Sequence, residues 1–177
     1  MNHFTPEQYH NAGKVWQIAS GPAGVVYMAT DRGLLEFDGK NWKLNKGSVG
    51  ITRSLLVVND SMIYTGSDLD FGVWKKNRSN TFEYRSLYPF KNEAQDIVEE
   101  FWDIHRLADK IVFISAQNIY VFRKGQLIKI PFQGRISGSY TVNDKLYIAD
   151  KKAGIFLFDG YKLNRSSGFF QGRHVFN

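Results

Sequence analysis

The stretch Gly33-Leu34-Leu35-Glu36-Phe37-Asp38-Gly39 returns late in the chain as Gly154-Ile155-Phe156-Leu157-Phe158-Asp159-Gly160. Both copies read Gly, apolar, apolar, any residue, Phe, Asp, Gly. Ahead of the first stands Val26-Tyr27-Met28-Ala29-Thr30, and ahead of the second Lys145-Leu146-Tyr147-Ile148-Ala149-Asp150. A degenerate copy is Met62-Ile63-Tyr64-Thr65-Gly66 followed by Phe71-Gly72-Val73-Trp74. Trp16 precedes Tyr27 by 11 residues, and Trp102 precedes Phe113 by the same 11. The landmark aromatics Tyr27, Tyr64, Phe113 and Tyr147 are spaced by 37, 49 and 34 residues, a mean of 40. A period near 40 with several short strands per unit is the mark of a β-propeller.

Working outward, each unit parses as four strands. The first unit places them at about 14–19, 25–30, 33–38 and 41–45, with turns at Gly21-Pro22-Ala23-Gly24, Asp31-Arg32 and Asp38-Gly39. Asp-Gly reads as a two-residue hairpin, because Gly accepts φ > 0 without steric cost. The units fall at about 14–45, 51–87, 98–131 and 135–165. The expected fold class is all-β, with about four four-stranded antiparallel β-propeller blades, so that residues 1–177 form a partial propeller. One stretch competes. Ile97, Phe101, Ile104 and Ala108 sit at helical spacing, which locally favours a helix from Asn92 to Leu107. The repeat argues instead for a strand at about 100–107, with a short helix only at about 91–97.

Composition agrees with this reading. The 177 residues are 43% hydrophobic and 15% aromatic, which excludes a disordered chain, and 16 Gly against 4 Pro suits many tight turns. There is no Cys, so disulfides, zinc–thiolate centres and cysteine nucleophiles are excluded. No apolar run approaches the ~20 residues of a membrane span. The N-terminus Met1-Asn2-His3-Phe4 does not begin a signal peptide. The net charge is +6, made of +2 over residues 1–90, −4 over 91–109 and +8 over 110–177. Charged strand edges explain the basic end, and no nucleic-acid-binding signature accompanies it.

Each blade has two apolar faces and must stack on neighbours to bury them. Trp16, Trp42, Trp74 and Trp102 are expected in that inter-blade packing, with Trp16 and Trp102 buried at equivalent places. Four blades is the rare lower limit of a closed ring. The segment from Gly168 to Asn177 reads as the start of further structure, so the expected partners are remaining blades or a second copy of the chain.

From Tyr9-His10-Asn11-Ala12-Gly13 and Trp16-Gln17-Ile18 through Gly33-Leu34-Leu35-Glu36-Phe37-Asp38-Gly39-Lys40-Asn41-Trp42, the sequence resembles a known family. It is similar to the N-terminal propeller of Bacteroidetes-type periplasmic sensors with two-component-regulator propeller repeats. The resemblance covers roughly residues 4–165. It implies a periplasmic sensor domain, seven blades per propeller, and an output module that is a histidine kinase, a hybrid kinase-regulator or a DNA-binding helix-turn-helix. It also implies an oligosaccharide ligand, control of transcription, and a membrane connection only through downstream segments. The chain itself is then no enzyme, contacts no nucleic acid directly and needs no cofactor. The alternatives are a protein-interaction scaffold without a small ligand and, behind it, a propeller lyase or hydrolase.

Chemistry-bearing motifs are sparse. His3, His10, His105 and His174 make no metal-ligand pair. Asp68-Leu69-Asp70 lacks the ordered ligand series of a calcium loop and reads as a solvated hairpin tip. Glu93, Asp96, Glu99, Glu100 and Asp103 contain the two carboxylates that glycoside hydrolysis needs, but read as a charged surface. Ser20-Gly21-Pro22-Ala23-Gly24 lacks the Lys-Ser/Thr of a phosphate loop. Loops at one end of the blades are the place for a ligand. The candidate ligand-binding residues are Arg53, Asp70, Trp74 and His105, with no catalytic or metal site.

Overall fold

The computed structural model describes residues 3–48, 50–89 and 99–165. They form four sheets of four antiparallel strands, each in sequence order from its first strand outward. Blade 1 holds β1 (Val15–Ser20), β2 (Val26–Thr30), β3 (Gly33–Phe37) and β4 (Trp42–Asn45). Blade 2 holds β5 (Thr52–Asn59), β6 (Met62–Ser67), β7 (Phe71–Lys76) and β8 (Phe82–Ser86). Blade 3 holds β9 (Phe101–Leu107), β10 (Lys110–Ser115), β11 (Asn118–Arg123) and β12 (Gln126–Pro131). Blade 4 holds β13 (Ile136–Val142), β14 (Lys145–Asp150), β15 (Gly154–Phe158) and β16 (Leu163–Arg165). The first strands pack in the order β1, β5, β9, β13 and form the inner row. The architecture is a partial β-propeller.

Alternation along the middle strands explains why the blades stack. In β10 all six residues are buried, because its two faces serve two different neighbours. Ile111 and Phe113 face blade 2, where Phe113 stacks on Phe71 at 4.2 Å between ring centroids. Val112 and Ile114 face blade 4 and meet Leu146, Ile148 and Phe158. Between blades 1 and 2, Tyr27 and Leu34 pack on Ile63, Trp74 and Phe82. A face that buries a few large side chains gains roughly 1.5–3 kcal/mol from each, which no single sheet obtains alone.

Side chains also tie the inner row. Gln17 Oε1 accepts the Leu55 amide at 2.8 Å, and the Ser54 hydroxyl donates to the Phe101 carbonyl at 2.9 Å. Each link satisfies a backbone group that the first strand of a blade would otherwise leave unpaired.

The two copies of the Gly-to-Asp-Gly motif do not make two-residue hairpins. Each makes a four-residue loop folded around its Asp. Asp38 Oδ1 accepts the amides of Lys40 (2.8 Å) and Asn41 (2.6 Å). Asp159 Oδ1 accepts those of Tyr161 (2.9 Å) and Lys162 (2.8 Å). The carboxylate substitutes for a strand partner, and the following Gly takes φ of 94° and 93°. True two-residue hairpins occur at Lys124-Gly125 and Asn143-Asp144, where both central residues have positive φ, as type I′ turns require.

The helical spacing around Phe101 is resolved as a strand. β9 bulges at Trp102, so Phe101 and Ile104 fall on the same face three residues apart. A bulge inside an alternating strand therefore produced the helix-like period. The expected helix at about 91–97 and the segment from Gly168 to Asn177 lie outside the described residues.

The two ends of the blade row differ. On blade 1 the N-terminal segment covers the outward face. Phe4 meets Phe37 and Trp42 edge-on, each at 5.2 Å, and Tyr9 meets Trp42 at 5.9 Å. Trp42 therefore packs against this segment rather than against another blade. On blade 4 the outward face leaves Tyr140 and Val142 exposed.

Candidate functional site at the inner-strand bulges

Every inner strand carries a β-bulge at its second residue. The pairing with the next strand skips Trp16 in β1, Arg53 in β5, Trp102 in β9 and Ser137 in β13. A bulge inserts one unpaired residue and re-aims its side chain. Repeated on successive blades, it brings side chains from distant parts of the sequence to one end of the inner row.

Three of the four meet directly. The Trp16 and Trp102 rings lie edge to face at 6.0 Å, and the Arg53 guanidinium lies 4.5 Å from one ring centre and 4.3 Å from the other. Arg53 Nε and Nη2 bind the Asp68 carboxylate side-on, and Nη2 also donates to Glu100 Oε1 at 2.9 Å. Its side chain is only 9% exposed. One guanidinium thus joins blades 1, 2 and 3. The planar fork suits this, since its edge matches a carboxylate while its faces suit aromatic rings.

Trp16 is held from behind. Its indole N–H donates to Asp31 Oδ1 at 2.8 Å, and the Lys14 amide donates to Oδ2 at 2.8 Å. These two bonds, the Lys14 amide first, hold the Asp31 carboxyl below the usual carboxylate range. The Lys14 ammonium sits 3.6 Å above the Trp16 ring. Trp102 is 42% exposed. Trp16 and Trp102 do occupy equivalent places, but they are not buried between blades as expected. The bulge turns them out of the blade faces and toward each other.

Beside Trp102 lies a cavity of about 270 Å³ between blades 3 and 4, lined by Glu100, Trp102, Asp103, Ser115, Arg135 and Ser137. An adjoining hollow on blade 4 is bordered by Arg135, Lys151 and Lys152. Asp150 borders it too, but one of its oxygens accepts the Lys152 and Ala153 amides at 2.7 and 2.6 Å, and the other accepts Arg135 N at 2.8 Å.

The four sequence-chosen residues separate. Arg53 stands at the centre of the bulge cluster. His105 lies further along β9 in the seam with blade 4. The Ser139 hydroxyl donates to Asp103 Oδ2 at 2.7 Å, so His105 Nε2, 2.8 Å from the same oxygen, is the donor to Ser139. His105 Nδ1 then accepts from the Thr141 hydroxyl at 2.9 Å. The ring is neutral, and burial lowers its pKa against the opposing pull of Asp103. Asp70 is fully buried and accepts from Ser86 at 2.7 Å and Tyr84 at 3.1 Å. Trp74 is fully buried in the packing of blade 2 on blade 1 and donates to Thr65 Oγ1 at 2.9 Å. Neither Asp70 nor Trp74 lines the cavity beside Trp102.

The acidic run also divides. Glu99 faces inward and accepts from Tyr120 and Asn118, each at 2.6 Å, while Glu100 holds Arg53. Glu93 and Asp96 lie outside the described residues. Among the described residues no group of three or more His, Asp or Glu is placed to hold a metal ion, and no helix is long and apolar enough to cross a membrane.

Sequence reasoning missed Glu100, Asp103 and Ser137 as cavity residues and assigned Trp16 and Trp102 to the core. A signal for the cluster was present. Arg53 precedes Tyr64 by the same 11 residues that separate each tryptophan from its landmark aromatic.

No protein-family description matches the chain, and no curated protein matches it. Solved structures do. The extracellular domain of BT3049 from B. thetaiotaomicron, assigned to a hybrid two-component system, superposes with a TM-score of 0.67 at 14% identity, over 94% of this chain and 26% of that one. The extracellular domain of BT4673 from the same organism, assigned to a one-component system, gives 0.63 at 14% identity over 87% and 22%. The computationally designed Ika4 protein gives 0.61 at 14% identity over 82% and 91%. The chain spans about a quarter or less of the length of the two extracellular domains. The WD40 β-propeller domain of Doa1 gives 0.59 at 14% identity over 85% and 53%, and at these identities the likeness establishes the fold, that of a bladed β-propeller.

Proposed function

We propose that these blades belong to an extracytoplasmic, periplasmic sensor propeller of a two-component or one-component signalling regulator. In this reading the bulge cluster is its ligand mouth and a glycan its ligand. The observation that carries this is the Trp16–Arg53–Trp102 assembly, in which three blades contribute one side chain each to a single cluster that leaves Trp102 open to solvent. A ligand resting there touches several blades at once, and its binding is felt at their seams. The extracellular domains of BT3049 and BT4673, which share the fold, support the sensor reading. The role is recognition rather than catalysis, with transcription as its downstream target.

The test is thermal melting of the 177-residue chain against a panel of oligosaccharides. A ligand that binds only the folded state raises the melting temperature. A rise with one glycan class supports the reading, and a flat response across the panel contradicts it. Turnover on the same panel would reveal a propeller enzyme. The scaffold alternative is favoured by one observation, the exposed Tyr140 and Val142 on the outward face of blade 4. In a closed ring a further blade covers that face. For this chain alone a second copy takes that place.

A further inference from the structure

We infer that the cavity beside Trp102 takes a single uncharged pyranose ring of an oligosaccharide and rejects sulfated and uronate sugars. The inference rests on the glycan-sensing reading above and adds the chemical class of the ligand.

Arg53 looks from the sequence like the residue to hold an anion, and the structure removes it from that role. The Trp16 and Trp102 rings lie against the guanidinium at 4.5 and 4.3 Å, and Asp68 and Glu100 occupy its Nε and Nη2 edge. With the side chain 9% exposed, an anionic ligand would have to displace two carboxylates to reach it. Breaking such a pair leaves uncompensated charge.

What remains accessible in the cavity is rich in acceptors. Glu100 and Asp103 present carboxylate oxygens, and Ser137, whose proton goes to the Ala149 carbonyl, presents an acceptor hydroxyl. Arg135 is the one cation on this lining, and Ser115 is buried with its hydroxyl spent on Glu99 and on the Gln117 and Asn118 amides. Asp103 spends one acceptor site on Ser139, and a carboxylate has about four. Sugar hydroxyls are donors that match this set. The charge balance points the same way. Asp68, Glu100 and Asp103 stand against Arg53 and Arg135, one net negative charge on a chain of net +6. Lys151 and Lys152 lie outward, exposed on the adjoining hollow, where water and salt screen them.

Trp102 supplies the remaining element. An aromatic face carries negative charge density, and the C–H face of a pyranose presents the positive complement. The cavity of about 270 Å³ falls just below the ~300–1,000 Å³ of drug-sized sites, which suits one ring with the rest of the oligomer in solvent.

The test uses the 177-residue chain and two probe sets. One set is uncharged xylo-, manno-, cello- and galacto-oligosaccharides, all built of pyranose rings. The other is heparin and chondroitin sulfate fragments with oligogalacturonate. Tryptophan fluorescence and calorimetry read the binding. The expected result is binding of an uncharged sugar, insensitive to salt, that weakens about tenfold in Trp102→Ala through loss of one stacking contact. If Trp102→Ala does not fold, Ser137→Tyr, which fills the cavity from the exposed bulge of β13, must weaken binding similarly. Salt-sensitive binding of an anionic glycan overturns the inference and leaves glycan sensing standing. Binding of an uncharged sugar unchanged by both variants also overturns it. No binding in either set overturns the inference and the glycan-sensing reading together.

Discussion

Replacing Arg53 with Ala removes a cation that joins three blades. The substitution leaves the Asp68 and Glu100 side chains, 19% and 36% exposed, without their guanidinium. A fully buried carboxylate deprived of its partner costs about 3–5 kcal/mol, while exposed pairs are worth ~0–1 kcal/mol. With one acid mostly enclosed and the other open to water, about 2 kcal/mol is the share of the ion pairs. Each cation–π contact adds about 0.5–1 kcal/mol. The total loss is about 3 kcal/mol. A domain of this size shifts by ~2–4 °C per kcal/mol, so the melting temperature should fall by roughly 6–12 °C. Arg53→Lys keeps the charge but not the fork or the flat faces, and should recover less than half of the loss. Differential scanning calorimetry at low and high salt is the assay. A fall in Arg53→Ala of less than about 1 °C, or full recovery in Arg53→Lys, would show that the guanidinium geometry does not hold the blades together.

The two kinds of tryptophan should respond differently to truncation. Trp74→Ala should cost about 3–5 kcal/mol as a cavity-forming change, and Trp102→Ala about 1–2 kcal/mol, measured by urea denaturation; equal losses would contradict their placement. The lowered pKa of His105 means that the unfolded chain binds the proton first as pH falls. Its contribution is complete above the unfolded value of about 6.5 and lost as pH drops from there through the lower folded value, with Asp103 moderating the effect. Melting curves should therefore decline across that window in the native chain and decline less in His105→Gln; identical slopes would remove His105 as the cause. Light scattering on the 177-residue chain at high concentration should give twice 20.4 kDa, and a mass of 20.4 kDa would show that the outward face of blade 4 is left uncovered.

The propeller was legible because its blade period is written in landmarks that face the core. Tyr27, Tyr64 and Phe113 are buried, and burial on a middle strand tolerates little but large apolar side chains. Site residues carry no such constraint. The bulge position is filled by Trp, Arg, Trp and Ser in turn, so residue type hides the equivalence that strand register reveals. The bulge also misled in two ways. It gave Phe101 and Ile104 a helical spacing, and it turned Trp16 and Trp102 out of the blade faces where large aromatics are usually expected. Arg53 could be picked as an isolated polar residue at a strand start. That two rings and two carboxylates surround it depends on Trp16, Asp68, Glu100 and Trp102, from three blades, and only the folded chain assembles them.

The most direct test of the account is a double-mutant cycle between Trp16 and Trp102, which lie 86 residues apart in the sequence. Stability is measured for the native chain, Trp16→Phe, Trp102→Ala and the combination. Rings that meet through inner-strand bulges should be coupled by about 0.5–1.5 kcal/mol, the excess of an edge-to-face pair over its buried area. Losses that add within about 0.3 kcal/mol would mean that the two tryptophans do not meet, and would contradict the convergence of the first three bulges on a single site.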